Sequence, residues 1–217
     1  MPRSGLPRLH IVTDSSVLAR PDFVERAASV MDAGAGRIAL HIRGPRSTGR
    51  RVYELAVALA REASGSGTWL LVNDRVDVAL AAGLDGAHLG ARSLSVSQAR
   101  ALLGPERMIG ASVHDVAALR TARDDGANYA FVGTVYDTES HPGRATLGSA
   151  GLGGVIDEVL GIPVLAIGGI DPDRVREVTS AGAFGVAVLR GVWAAPDPAA
   201  AVLGYLAALE SPSTEGI

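Results

Sequence analysis

Short apolar runs recur along the chain at even intervals, and almost every run leads into a stretch whose apolar residues repeat at i, i+3 and i+4. The first run, residues 9–13, is rich in β-branched side chains and ends against Asp14. Residues 21–33 then carry Phe23, Val24, Ala27, Ala28 and Met31 at helical spacing, with Gly34 as a stop. A second strand is predicted over 37–42 and a long helix over 48–64, with Val52, Leu55, Ala56, Leu59 and Ala60 on one face. The third run, 69–72, ends in Asn73 and Asp74 and precedes a short helix at 76–82. Strands at 86–89 and 108–113 lead into helices, one at 95–103 capped by Ser93 or Ser95, the other capped by Asp115 and running to Asp125. A sixth strand, 129–132, opens the longest irregular segment, 134–149, before a helix at 151–160. The seventh strand lies in 163–170 and leads into a helix at 173–181; the eighth, 183–189, precedes a closing helix at 198–209 and a polar, frayed tail at 210–217.

Eight strand–helix units share 217 residues, about 27 each, close to the lower limit for a closed barrel. Near-continuous apolar strands are what burial on both faces requires. The competing architecture, a doubly wound open sheet, usually shows a glycine-rich fingerprint after its first strand, and none follows Thr13. No linker, charge block or change of composition divides the chain. The pattern predicts an α/β fold, a single (β/α)8 TIM barrel over residues 1–217.

In such a barrel the chemistry lies at the carboxyl ends of the strands. Those ends read Asp14, His41 and Arg43, Asn73 and Asp74, His88, His114, Gly133 and Thr134, Gly168 and Gly169, then Leu189 and Arg190, a polar ring where a core would be apolar. Gly168 and Gly169 precede Asp171 and Pro172, an N-cap and an N1 proline, so bare amides meet a helix start: an anion site, or only a tight turn. His114 ends its strand and suits proton transfer near neutral pH. Arg43 is a permanent cation suited to carboxylate or phosphate. His88 lies within its strand and reads better as a satisfied core histidine, and Asp115 as a helix cap. The segment 134–148 has a lid's length and place.

Composition removes several chemistries. Hydrophobic residues make up 47% and charged residues 20%, a globular balance, and the net charge of -3 gives no case for nucleic acid or an anionic membrane. There is no cysteine, which excludes disulfides and thiolate catalysis. All 20 basic residues are arginine, which excludes a lysine Schiff base and a lysine phosphate clamp. No apolar stretch approaches the roughly 18 residues of a membrane span, and residues 1–8 hold no apolar signal core. A soluble cytoplasmic protein is expected.

Taken in order, seven segments between residues 9 and 190 resemble the thiamine phosphate synthase/TenI superfamily of small barrels. They are residues 11–14 (Ile-Val-Thr-Asp), 41–43 (His-Ile-Arg), 72–77 (Val-Asn-Asp-Arg-Val-Asp), 85–90 (Asp-Gly-Ala-His-Leu-Gly), 110–114 (Gly-Ala-Ser-Val-His), 133–138 (Gly-Thr-Val-Tyr-Asp-Thr) and 166–170 (Ala-Ile-Gly-Gly-Ile). The synthase branch ends its second strand in Gln-x-Arg-x-Lys to hold a pyrophosphate; here those positions are His41, Arg43 and Pro45. It places a magnesium-binding aspartate shortly after His-x-Gly of the fourth strand; here Gly90 is followed by Ala91, Arg92 and Ser93. Its lid lysine is replaced by His141. The TenI branch is similar in its His-Ile-Arg and Ser-Val-His ends and in lacking the magnesium aspartate.

What the resemblance implies is a thiazole tautomerase, an isomerase that aromatises the carboxythiazole phosphate of thiamine biosynthesis by a proton shift and needs no cofactor. His114 would be its acid/base. Arg43, the backbone at Gly168 and Gly169, and Leu189 and Arg190 would hold the anionic groups, with Asp14, His41, Asn73 and Thr134 lining the pocket. The alternatives are thiamine phosphate synthase, a magnesium-dependent transferase joining aminopyrimidine pyrophosphate to thiazole phosphate with Asp74 as a metal ligand, and a non-catalytic paralogue that binds a phosphorylated metabolite. The partner is a small phosphorylated thiazole, and association into a homo-oligomer is left open.

Overall fold

Eight parallel strands close on themselves in the computed structural model, which describes residues 5–139, 143 and 145–211. The strands are β1 (Leu9–Val12), β2 (Ile38–Ile42), β3 (Trp69–Asn73), β4 (Gly86–Leu89), β5 (Met108–Val113), β6 (Tyr129–Val132), β7 (Val164–Ile167) and β8 (Gly185–Val188). Each pairs with its neighbour in sequence, and β1 pairs with β8 to complete the (β/α)8 barrel. β4, β5 and β6 have the predicted bounds, and the other five strands differ from theirs by one to three residues at one or both ends.

Helices cover the outside: α1 (Ser15–Leu18), α2 (Phe23–Gly34), α3 (Gly49–Glu62), α4 (Val76–Ala81), α5 (Val96–Leu103), α6 (Val116–Asp124), α7 (Gly148–Asp157), α8 (Pro172–Ser180), α9 (Arg190–Trp193) and α10 (Pro198–Glu210). Side-chain caps fix where several begin. Thr48, Asp115, Asp171 and Asp197 each accept an amide of the first turn, and Ser95 with Gln98 forms a capping box. The sequence pattern does not predict α1 and α9, each of four residues. α7 starts three residues before the predicted point.

The strands' outward residues pack under the helices in one continuous apolar layer. Their inward residues form a second core with Val12, Ala39, Leu71, Tyr129, Phe131, Leu165 and Ala187. His10, His41 and His88 share that interior and are fully buried. Gly110 makes room for them, because a methyl there would collide with the Tyr129 ring and lie 2.5 Å from His88 Nδ1. Trp193 closes the seam, donating from Nε1 to the Val12 carbonyl at 3.0 Å and packing against Phe23 with the rings tilted by 55°. Among the described residues no helix is long and apolar enough to cross a membrane. Of the tail predicted to fray over 210–217, Glu210 closes α10 instead, and residues 212–217, like His141, lie outside the described residues.

Candidate active site

Strand parity decides which side chains reach the barrel mouth. In β2, His41 points inward, so Arg43 two residues on points the same way, one layer higher. Its backbone is held by buried Thr13, whose Oγ1 accepts from the Arg43 amide at 2.8 Å and lies 3.0 Å from the carbonyls of His41 and Arg43. The Arg43 guanidinium makes no hydrogen bond or ion pair among the described residues, and its charge is felt by both Asp14 and His88. It is an available cation at the opening.

Asp14 follows β1 and caps α1, its Oδ1 accepting from the amides of Ser16 and Val17 at 2.9 Å each. Burial pushes its carboxyl up, but the bonds from Ser16 and Val17 and the Arg43 charge outweigh that, and it ends below the usual carboxylate value. It therefore faces the mouth as an anion.

His41 is not at the mouth with Arg43, contrary to the expectation from sequence. It is fully buried one layer down and reaches the opening only through Asn73, whose Oδ1 lies 3.2 Å from His41 Nδ1. Burial pulls its pKa down to about 4. On its other side His41 Nε2 lies 2.9 Å from Nδ1 of His10, a residue that sequence reasoning misses because it sits between Leu9 and Ile11 in an apolar run. His88 is a core histidine with both ring nitrogens partnered, Nε2 at 2.8 Å from Ser112 Oγ and Nδ1 at 3.3 Å from Tyr129 Oη.

Asn73 and Asp74 do not cap the next helix, since α4 begins after Arg75 with no side-chain cap. Asp74 has φ 65°, a left-handed backbone that turns its carboxylate toward the loop after β4. There Oδ1 accepts from the Gly90 amide at 2.8 Å and from the Ser93 hydroxyl. Ser93 and the Gly90 amide together thus orient Asp74. Among the described residues no three histidines or carboxylates cluster as a metal cage.

His114 stands exposed beyond β5 with Nδ1 2.7 Å from the Gly133 carbonyl. A carbonyl only accepts, so Nδ1 carries the proton and the neutral ring keeps its lone pair on Nε2. Across the opening, Gly168 and Gly169 have φ 107° and 66°. They also make room for the segment after β6. A methyl on Gly168 would lie 2.6 Å from Thr134 Cγ2, and one on Gly169 would strike the Asp137 carbonyl. Val135 and Tyr136 donate their amides to the carbonyls of Ile167 and Gly168 at 3.0 Å, which lays the base of the 134–148 segment along β7. The amides of Gly168 and Gly169 donate to no backbone carbonyl among the described residues.

Two side chains that the sequence does not single out brace this turn. Arg174 Nη1 donates to the Gly169 carbonyl at 2.7 Å, and Tyr205 of α10 donates to the Ile170 carbonyl at 2.9 Å. Leu189 occupies the cap position of α9, and Arg190 is ion-paired with Glu139 of the 134–148 segment. The mouth therefore brings together Asp14, Arg43, Asn73, Asp74, His114, Thr134, the glycine pair and the start of α9.

Fold and mouth together define a small (β/α)8 barrel equipped to hold a compact anionic molecule at the carboxyl ends of its strands. The profile of the family described as Thiamine monophosphate synthase matches residues 9–192, and the chain belongs to that family. It is 38% identical over 208 residues to a thiamine-phosphate synthase of Haloquadratum walsbyi, covering 95% of this chain and 92% of that one. A thiamine-phosphate synthase of Salinispora arenicola is also 38% identical, over 95% of this chain and 99% of its own. Among solved structures, thiamine phosphate pyrophosphorylase from Pyrococcus furiosus superposes with a TM-score of 0.80 at 32% identity, covering 94% of this chain and 95% of that one.

These relatives overturn the expectation of a TenI-like tautomerase, and with it the isomerase class: near full-length relatives carry the synthase name. The absence of a carboxylate after Gly90, on which the sequence reads against a synthase, does not decide the matter: Asp74 is held by the Gly90 amide and the Ser93 hydroxyl, and one or two carboxylates with substrate phosphates are an ordinary magnesium set.

Proposed function

We propose that the chain is a thiamine-phosphate synthase, a transferase joining aminopyrimidine pyrophosphate to thiazole phosphate. The observation that carries this reading is the 38% identity over 95% of the chain to proteins of that name. The reaction breaks the bond between the pyrimidine methylene carbon and a pyrophosphate oxygen, which leaves with the electron pair. The thiazole nitrogen lone pair then forms the new carbon–nitrogen bond. Both substrates are small and phosphorylated.

Charge neutralisation on the departing pyrophosphate is the main demand. Arg43 answers it as the available guanidinium at the mouth, able to bind phosphate oxygens in a bidentate manner. Asp74 fits one further role, as the carboxylate that would hold a magnesium ion together with the phosphates, Ser93 and the Gly90 amide fixing its orientation. When bound, that ion supplies positive charge to the leaving group. The phosphate of the thiazole is unreactive and serves as a handle. Its site would be the amides of Gly168 and Gly169 with those at Leu189 and Arg190 where α9 begins, as in barrels whose seventh and eighth loops bind phosphate. In that case the phosphate competes with Glu139 for Arg190. No ring carbon loses a proton in this reaction, so His114 lines the pocket beside Asp14, Asn73 and Thr134 and offers Nε2 as an acceptor.

The test is turnover by the purified protein. Thiamine phosphate should form from the two substrates in the presence of magnesium and stop on chelation. A folded protein that forms none with magnesium present refutes the reading.

A further inference from the structure

Four carbonyls in a row, those of Ile167, Gly168, Gly169 and Ile170, are each held by a donor from another element. Val135 and Tyr136 supply backbone amides to the first two at 3.0 Å, Arg174 Nη1 reaches the third at 2.7 Å, and the Tyr205 hydroxyl reaches the fourth at 2.9 Å. In a trans peptide the N–H points opposite to the C=O of the same unit. The amides of residues 168–171 are therefore turned away from those donors, and among the described residues none of the four donates to a backbone carbonyl. Where the carbonyls are tied decides where the bare amides face.

Three of the ties are firm, because two are backbone bonds and the Tyr205 side chain is buried. The Gly169 tie rests on a half-exposed guanidinium. Gly169 has φ 66°, and without a side chain it lets the peptide plane that follows turn freely. The helix neighbour of Arg174 does little to steady it: Asp171 Oδ2 lies 3.7 Å from Nε, and an exposed pair of that kind contributes little. The Tyr136 ring is the better support, since Arg174 Cζ lies over it at 4.6 Å from the centroid, a cation–π contact. Tyr136 thus acts twice. Its amide ties the Gly168 carbonyl, and its ring carries the group that ties the Gly169 carbonyl.

We propose that Arg174, stacked on Tyr136, is a positioning residue that fixes the Gly169–Ile170 peptide and so couples the segment after β6 to the amides that take a phosphate group. Displacing the ring frees the guanidinium, and freeing the guanidinium lets the Ile170 amide turn. That the phosphate belongs to a thiazole rests on the synthase reading; the coupling itself does not.

Amide nitrogen–proton spectra of the whole protein, titrated with inorganic phosphate, test the coupling without turnover. The signals of Gly168, Gly169 and Ile170 should shift together in the native protein. In Arg174→Ala the Kd should rise about tenfold, the order of one hydrogen bond to a charged group, with the Ile170 shift reduced most. Tyr136→Leu keeps the amide tie and removes the ring, so it should weaken phosphate more than Tyr136→Phe, which leaves a ring under the guanidinium. The Tyr136 pair gives the answer even if Arg174→Ala does not fold. Native amides that ignore phosphate, or a Kd for Arg174→Ala within about twofold of the native value, overturn the proposal. Equal Kd values for the two Tyr136 variants overturn the coupling through the ring. In turnover, Arg174→Ala should raise KM for thiazole phosphate about tenfold and change kcat and the KM for aminopyrimidine pyrophosphate less, as loss of a binding handle requires. A fall in kcat with that KM unchanged contradicts the assignment. Absence of turnover in the native protein is the failure of the synthase reading, and the phosphate titration then decides the coupling by itself.

Discussion

Arg43 carries the residue-scale claim most heavily. Its guanidinium binds nothing among the described residues, so its place at the mouth is not needed to hold the fold together, and removing it should leave stability almost untouched. Arg43→Ala should lower kcat by about 10²-fold or more, the size expected when a preorganised charge on a developing anion is lost. Circular dichroism and the melting temperature should stay unchanged, and a kcat within twofold of the native value would remove Arg43 from the mechanism. Most of the mouth is legible in the sequence, because barrels place polar residues after their strands and Asp14, Arg43, Asn73, His114 and the glycine pair all fall there. His41 sits one layer deeper than its sequence position suggests, and His10 gives no signal at all. Both departures have one cause: when both faces of a strand are buried, alternation carries no polar marker and parity cannot be assigned. Only the strand register reveals His10, His41, His88 and Ser112 as one set of inward polar residues.

Among the elements, α10 does more than cover the barrel. Tyr205 passes under the start of α9, where a methyl on Gly191 would collide with its hydroxyl, and donates to the buried Ile170 carbonyl beside the glycine pair. It ties together the two loops proposed to hold the thiazole phosphate. Its phenol, pushed up by burial to about 12, stays a donor across the working pH range. Tyr205→Phe leaves that carbonyl without its partner and should cost about 1–3 kcal/mol in denaturant unfolding. It should also raise KM for thiazole phosphate more than it lowers kcat; a change in neither stability nor KM would show that Tyr205 braces nothing. α1 and α9 are invisible in the sequence because four residues are too few for a helical period to show. The early start of α7 is obscured by glycines at 148, 151, 153 and 154, which carry no apolar marker.

At the scale of the whole molecule, three wholly buried neutral histidines make the barrel sensitive to acid. Burial lowers the pKa of His10 and His88 well below 6.5 and that of His41 to about 4. Between those values and 6.5 the unfolded chain binds protons that the folded barrel refuses, so stability falls as pH falls. The contribution is present in full above pH 6.5 and is lost through the window from 6.5 toward 4 for His41, continuing lower for the other two. Each group adds a slope of about 1.4 kcal/mol per pH unit in its window. Unfolding free energies measured from pH 7.5 to 4.5 should decline with a slope shared among the three, and a flat profile would show that the histidines are solvated or charged in the native state. The architecture itself is legible, since eight evenly spaced apolar runs in 217 residues leave little room for any arrangement but a closed barrel. The reaction is not. Ser93 reads as a lost ligand in sequence and as a support for Asp74 in space.

One NMR time course on the purified protein, following proton and phosphorus signals together with both substrates and magnesium in deuterated buffer, tests the synthase reading most directly. Thiamine phosphate and pyrophosphate should appear in equal amounts, with neither formed once magnesium is chelated. Deuterium exchange at the thiazole ring with no condensation product would contradict the synthase reading and restore a proton-transfer role to His114.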